Sequence, residues 1–205
     1  MTLMLCAVFF ASGAAALMFE ALWFRQAGLV LGNSIWASAI VTAAFMAGLA
    51  VGNGVVAKRG PRTTRPLFVY AALELAVGVV GALVVWLLPG LVSVLGPLFR
   101  SFESTFGVNA LRLGAALLVL VVPSSAMGAT LPLLARALSA ADENFGRILG
   151  RLYGWNTLGA VSGVLAAEVL VVPALGVRGA ALVAGALDLF AAATALWLAR
   201  RPWVR

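Results

Sequence analysis

The chain has 205 residues, 63% of them apolar and 10% charged, with a mean hydropathy of +1.09. A soluble domain carries about a quarter charged residues, so this is the composition of an integral membrane protein. The net charge of +7 comes from 14 Lys and Arg against 7 Asp and Glu, and most of the basic residues fall in short connectors between apolar runs, which fits membrane topology better than nucleic-acid binding.

The chain has no His, which removes the commonest metal ligand and acid–base group. The single Cys, Cys6, cannot close an internal disulfide and reads as a small hydrophobe within an apolar run. That first run reaches about Phe24 with no basic residue ahead of it. It is longer than a signal-peptide core of about 7–15 residues, so a spanning helix is expected there rather than a cleaved leader.

Crossing a bilayer takes about 20 mostly apolar residues. Six segments qualify, at about 4–24, 34–57, 67–91, 109–135, 149–172 and 178–199. No strand alternation competes with them. The expectation is an all-α integral membrane domain covering 1–205, with six transmembrane helices.

Lys and Arg set the orientation. Lys58, Arg59, Arg62, Arg65, Arg136, Arg147, Arg151, Arg200, Arg201 and Arg205 fall on one side, and Arg25, Arg100, Arg112 and Arg178 on the other. Ten against four places both termini in the cytoplasm. Segment 92–108 has the spacing of a short amphipathic helix at the outer surface. The six tryptophans fall mostly near span ends, as an aromatic belt would, with Trp155 a partial exception. Pro123 and Pro132 are expected to kink the fourth span, with nearby Ser and Thr hydroxyls serving the carbonyls they free.

Four of the seven acids lie inside predicted spans: Glu20, Glu74, Glu168 and Asp188. A charged side chain at the bilayer centre costs about 2.5–3.5 kcal/mol on insertion scales, so each needs a reason. Glu74 is seven residues in from Leu67 and Asn156 seven in from Leu149. Both helices start on the cytoplasmic side, so the two residues share a depth of about 10 Å. A polar layer of Glu74, Asn156 and Thr157 follows, serving either helix packing or passage of a solute. Glu20, Arg25, Glu168, Arg112 and Arg178 are expected to pair at the outer interface. Asp188 is close to the midplane and is expected to hydrogen-bond a neighbour.

The pairs Gly48/Gly52, Gly150/Gly154 and Gly159/Gly163 have the spacing that lets membrane helices approach closely. No phosphate-cradling glycine loop, HExxH or cysteine cluster is present. No metal, cofactor or soluble-type catalytic constellation is expected.

Four stretches carry a family resemblance: Phe10–Arg25 with Gly32-Asn-Ser34, Ala44–Gly54, Pro123–Pro132 and Gly150–Ala160. They resemble the membrane part of the multi-pass bacterial spermidine synthase-like proteins, a fusion of a major-facilitator-like region with a synthase domain. The resemblance implies a half-major-facilitator-like bundle in the bacterial inner membrane. The loop Gly54–Arg62 is similar to the loop after the second helix of major facilitators, with Lys58 where that motif usually has an acid. Arg205 stands where the synthase domain would begin, so no catalytic residue carries over and no enzyme activity is expected.

Two functions follow from the resemblance and the intramembrane acids. One is a polyamine-linked, transporter-like module. The other is a non-transporting membrane anchor for a cytoplasmic synthase-like enzyme. Six helices are half of such a transporter. Expected partners are therefore the lipid bilayer, a second copy or a separate synthase-like soluble protein, and a small cationic metabolite. Candidate pathway residues are Glu74, Asn156, Thr157, Asp188 and Glu20; candidate packing glycines are Gly48, Gly52, Gly154, Gly159 and Gly163.

Overall fold

The computed structural model describes residues 2–31, 35–59, 63–100, 104–139 and 145–200. Among these residues the chain is helical, with no strand. The helices are α1 (Thr2–Leu31), α2 (Ile35–Arg59), α3 (Pro66–Leu87), α4 (Leu91–Arg100), α5 (Thr105–Ser139), α6 (Phe145–Ala166) and α7 (Val172–Ala199). A 3₁₀ turn, Leu88–Gly90, joins α3 to α4, and a π-helical turn, Ala167–Val171, joins α6 to α7. Proline starts α3 at Pro66, where a missing N–H costs nothing, and Pro173 follows directly on the π-helical turn at the start of α7.

Five helical runs are long and apolar enough to cross a membrane. The last, Gly146–Ala199, has 54 residues and would measure about 80 Å if straight, far more than a bilayer. It is not straight. Gly176 has φ 70° and ψ 176°, a conformation closed to residues with a Cβ, and the chain turns back there.

The direction of each helix follows from its contacts along α1. On α6, Gly159 approaches Phe10 and Gly163 approaches Ala14, so α6 runs parallel to α1. On α3, Glu74 meets Ser12 and Gly81 meets Trp23, so α3 is also parallel. On α7, Ala180 and Ala184 pack in the cluster of Met18, Phe19 and Leu22, while Ala195 and Leu198 pack with Leu5 and Phe9, so α7 is antiparallel. Gly48 and Gly52 of α2 meet Ser124 and Ser125 of α5, so these two run together, opposite to α1. The chain therefore traverses the bundle in alternating directions. The ends of α2, α5 and α7 share one face with the starts of α1, α3 and α6.

That face carries Lys58, Arg59, Arg65, Arg136, Arg147, Arg151 and Arg200; the other carries Arg25, Arg100, Arg112 and Arg178. Arg62, Arg201 and Arg205 lie outside the described residues. The asymmetry read from the sequence is thus an asymmetry of the folded bundle. The amphipathic helix expected over 92–108 is shorter: α4 ends at Arg100, residues 101–103 lie outside the described residues, and 105–108 belong to α5. Leu91 and Leu95 line a small hollow with Ala27 and Leu31, and Val94 is exposed.

Three further features differ from expectation. Trp23 is not part of an aromatic belt. It is 1% exposed, stacks on Phe19, and donates from Nε1 to the Gly81 carbonyl at 3.0 Å. The reason is that α1 continues to Leu31, about two turns past Trp23, so this residue lies well inside the helix. Trp36, Trp86 and Trp197 are exposed, as belt residues are; Trp155 is also exposed but packs on Phe10 beside the mid-bundle Asn156, and Trp203 lies outside the described residues.

The second difference concerns glycine. Gly48, Gly52, Gly159 and Gly163 all sit at close approaches where a Cβ would collide with a neighbouring helix. Gly154 does not: no atom comes within 4 Å of the place its Cβ would occupy, and the same holds for Gly150. The face of α6 that meets α1 includes Gly159 and Gly163 but has turned away at Gly154. Gly13 on α1 and Gly128 on α5 complete the close contacts from the opposite sides, against Asn156 and Leu49.

Helix α5 stays helical through both Pro123 and Pro132. The Ser124 hydroxyl donates to the Leu120 carbonyl, and Thr130 Oγ1 donates to the Met127 carbonyl at 2.7 Å. These acceptors are one residue away from Val119 and Gly128, the carbonyls that the prolines leave without an N–H donor. The hydroxyls thus bond beside the freed carbonyls rather than to them.

Candidate functional site

The apolar core is divided in two. One cluster, around Phe19, Leu22, Trp23 and Phe45, fills the half toward Arg25; the other, around Phe9, Tyr70, Leu134 and Leu152, fills the basic half. The gap between them falls at the same level on five helices. It holds Ser12 of α1, Glu74 of α3, Thr130 of α5, Asn156 of α6 and Asp188 of α7. A layer of polar side chains therefore separates two apolar cores.

Glu74 is its centre. The carboxyl is 1% exposed and accepts from the Ser12 hydroxyl at 2.7 Å. Asp188, also 1% exposed, faces it from α7, near enough for the two carboxyl groups to interact. The Asp188 backbone lies at the level of Gly78, one turn along α3 from Glu74, and the lack of a Gly78 side chain makes the approach possible. The Tyr70 hydroxyl is buried within reach of Glu74 but closes no hydrogen bond of normal geometry. One Asp188 oxygen, Oδ2, is likewise buried without a partner.

A cavity of about 390 Å³ opens on this layer. Glu74, Asp188, Ser12 and Asn156 are in its wall, with Glu20 and Asn53 further along. Among the described residues, no Lys or Arg lines it. Buried carboxyls without a cationic partner are costly, because the desolvation of an ion is repaid only by close opposite charge or several hydrogen bonds. The wall therefore offers three carboxyls, two of them in the polar layer, and two amides to whatever occupies the space, and chemically suits a positively charged hydrogen-bond donor.

Of the residues expected here, Glu74, Asp188, Asn156 and Glu20 all line this cavity. Asn156 also ties α6 to α1, donating from Nδ2 to the Phe9 carbonyl at 3.1 Å. Thr157 is outside the layer. It is exposed, and its hydroxyl bonds back to the Tyr153 carbonyl of its own helix at 3.0 Å. Residue 157 is about 100° around the helix from Asn156, which takes it off the inward face. At the Arg25 end of the bundle, Arg25 and Glu168 form the expected kind of pair at 3.1 Å, both about half exposed.

Ser12 and Tyr70 were not singled out by their types. The available signal for Ser12 was depth, since it interrupts an apolar run at the level of Glu74. For Tyr70 it was helical spacing, one turn before Glu74.

Comparison with protein-family models, characterised proteins and solved structures finds no match to this chain.

Proposed function

We propose that the protein is a transporter-like membrane module for a small organic cation of the polyamine class. In this reading it has six crossings of the bacterial inner membrane, arranged as a half-major-facilitator-like bundle with both termini cytoplasmic. The observation that carries it is the meeting of Glu74 and Asp188 at a cavity wall with no basic residue among those described. Two carboxyls in a low-dielectric layer attract an ammonium group far more strongly than they would in water. Such sites sit at mid-depth in transporters, between two six-helix halves. A second half is therefore part of the proposal, supplied by another copy of this chain or by a different protein.

Uptake of labelled putrescine and spermidine into proteoliposomes is the test. Flux is expected from the purified protein, with a loss of at least about tenfold in Asp188→Asn and Glu74→Gln, since each removes a charge-assisted contact. No flux of any polyamine through well-folded protein would leave the alternative, a membrane anchor for a cytoplasmic synthase-like enzyme.

A further inference from the structure

The Glu74–Asp188 cavity does not end at its polar layer. A second, more open hollow of about 740 Å³ lies between α1 and α6 on the side of the Arg25–Glu168 pair. Leu17 and Glu20 belong to the walls of both hollows. Glu20 lies eight residues beyond Ser12 on α1, about 12 Å along the helix axis. It is half-buried and forms no ion pair or hydrogen bond among the described residues, although Arg25 is only five residues away. Arg25 instead reaches across to α6 and engages Glu168.

We infer that Glu20 is an outer relay carboxylate, a weak cation site through which a cation passes from the Arg25–Glu168 end of the bundle to the Glu74–Asp188 pair. Three features converge on this role. Glu20 is placed at the boundary of the two hollows. Its nearest cation along the chain is held elsewhere. Among the described residues, the inner cavity beyond it has acidic and neutral groups and no basic one. A carboxylate in the shared wall of two hollows raises the local concentration of cations there and repels anions. Leu17, the other shared wall residue, supplies bulk and no charge, so selection by charge falls to Glu20. The inference rests on the inner pair being a cation site, but the route can be tested without any transport.

The experiment uses the full chain with Cys6→Ala and a single reporter thiol, Ala16→Cys, whose position lines the inner cavity. Ser12→Cys serves as a second reporter. Reaction rates are measured in sealed vesicles of either orientation, with a trimethylammonium-bearing and a neutral hydroxyethyl-bearing methanethiosulfonate. The reporter is expected to react with reagent supplied on the Arg25–Glu168 side. Glu20→Gln should slow the charged reagent by about tenfold while changing the neutral one by less than about twofold, since only the field is altered. Glu20→Phe should slow both, by obstruction. Equal slowing of both reagents by Glu20→Gln, no slowing of either, access only from the basic face, or no reaction from either face would each overturn the route. Absence of polyamine flux, with this charge-selective access intact, would count against the proposed transport and not against the relay.

Discussion

The α1–α6 contact offers a clean comparison, because two glycines of one helix sit in opposite surroundings. At Gly159 an added Cβ would overlap the Phe10 carbonyl; at Gly154 it would meet nothing within 4 Å. Both Gly→Ala changes gain about 1 kcal/mol of helix propensity. Only Gly159→Ala forces α1 and α6 apart, and the acceptor is backbone, which cannot rotate away. Overpacking of this kind costs about 1–3 kcal/mol. Gly154→Ala should therefore be neutral to stabilising by about 1 kcal/mol, and Gly159→Ala should lie about 1–3 kcal/mol below it. Separation of these helices would also lengthen the Asn156–Phe9 bond, 3.1 Å in the native bundle. Unfolding in mixed micelles of rising SDS fraction, followed by circular dichroism, gives the difference. Equal stabilities, within about 0.5 kcal/mol, would refute the contact.

Other outcomes follow from the same geometry. Trp23→Phe removes the bond to the Gly81 carbonyl and should cost about 0.5–1.5 kcal/mol in the same unfolding assay. Asn156→Ala should destabilise by about 0.6–2 kcal/mol through loss of its interhelical bond, whereas Thr157→Ala should stay within about 0.5 kcal/mol of wild type. A double-mutant cycle on Arg25→Gln and Glu168→Gln should return no more than about 1 kcal/mol of coupling, because both partners are half exposed.

Depth along each helix was legible in the sequence; the facing of each helix was not. Counting from span ends placed Glu74 and Asn156 at one level and Asp188 deeper, and the structure keeps that order, with Asp188 level with Gly78. Counting could not pair Asp188 with Glu74, because α3 and α7 are apolar all round and show no polar face to orient them. The same blindness to rotation explains Thr157 and Gly154, both at the right depth and on the wrong side. Trp23 failed for a different reason. A span end was read where hydropathy faltered at Arg25, yet α1 continues to Leu31, so proximity to a charge was mistaken for proximity to the surface.

The reversal at Gly176 has a consequence for how the chain is laid into a bilayer. Helices α6 and α7 are joined by a π-helical turn with no loop between them, so among the described residues that end of the hairpin carries only Glu168, paired with Arg25, and Arg178 as charges. The two helices would pass from the insertion machinery into lipid as one unit, their backbones already paired off from water. Which way the unit points is then decided at its open end, by Arg147, Arg151, Arg200, Arg201 and Arg205, and moving those five charges should flip both helices together.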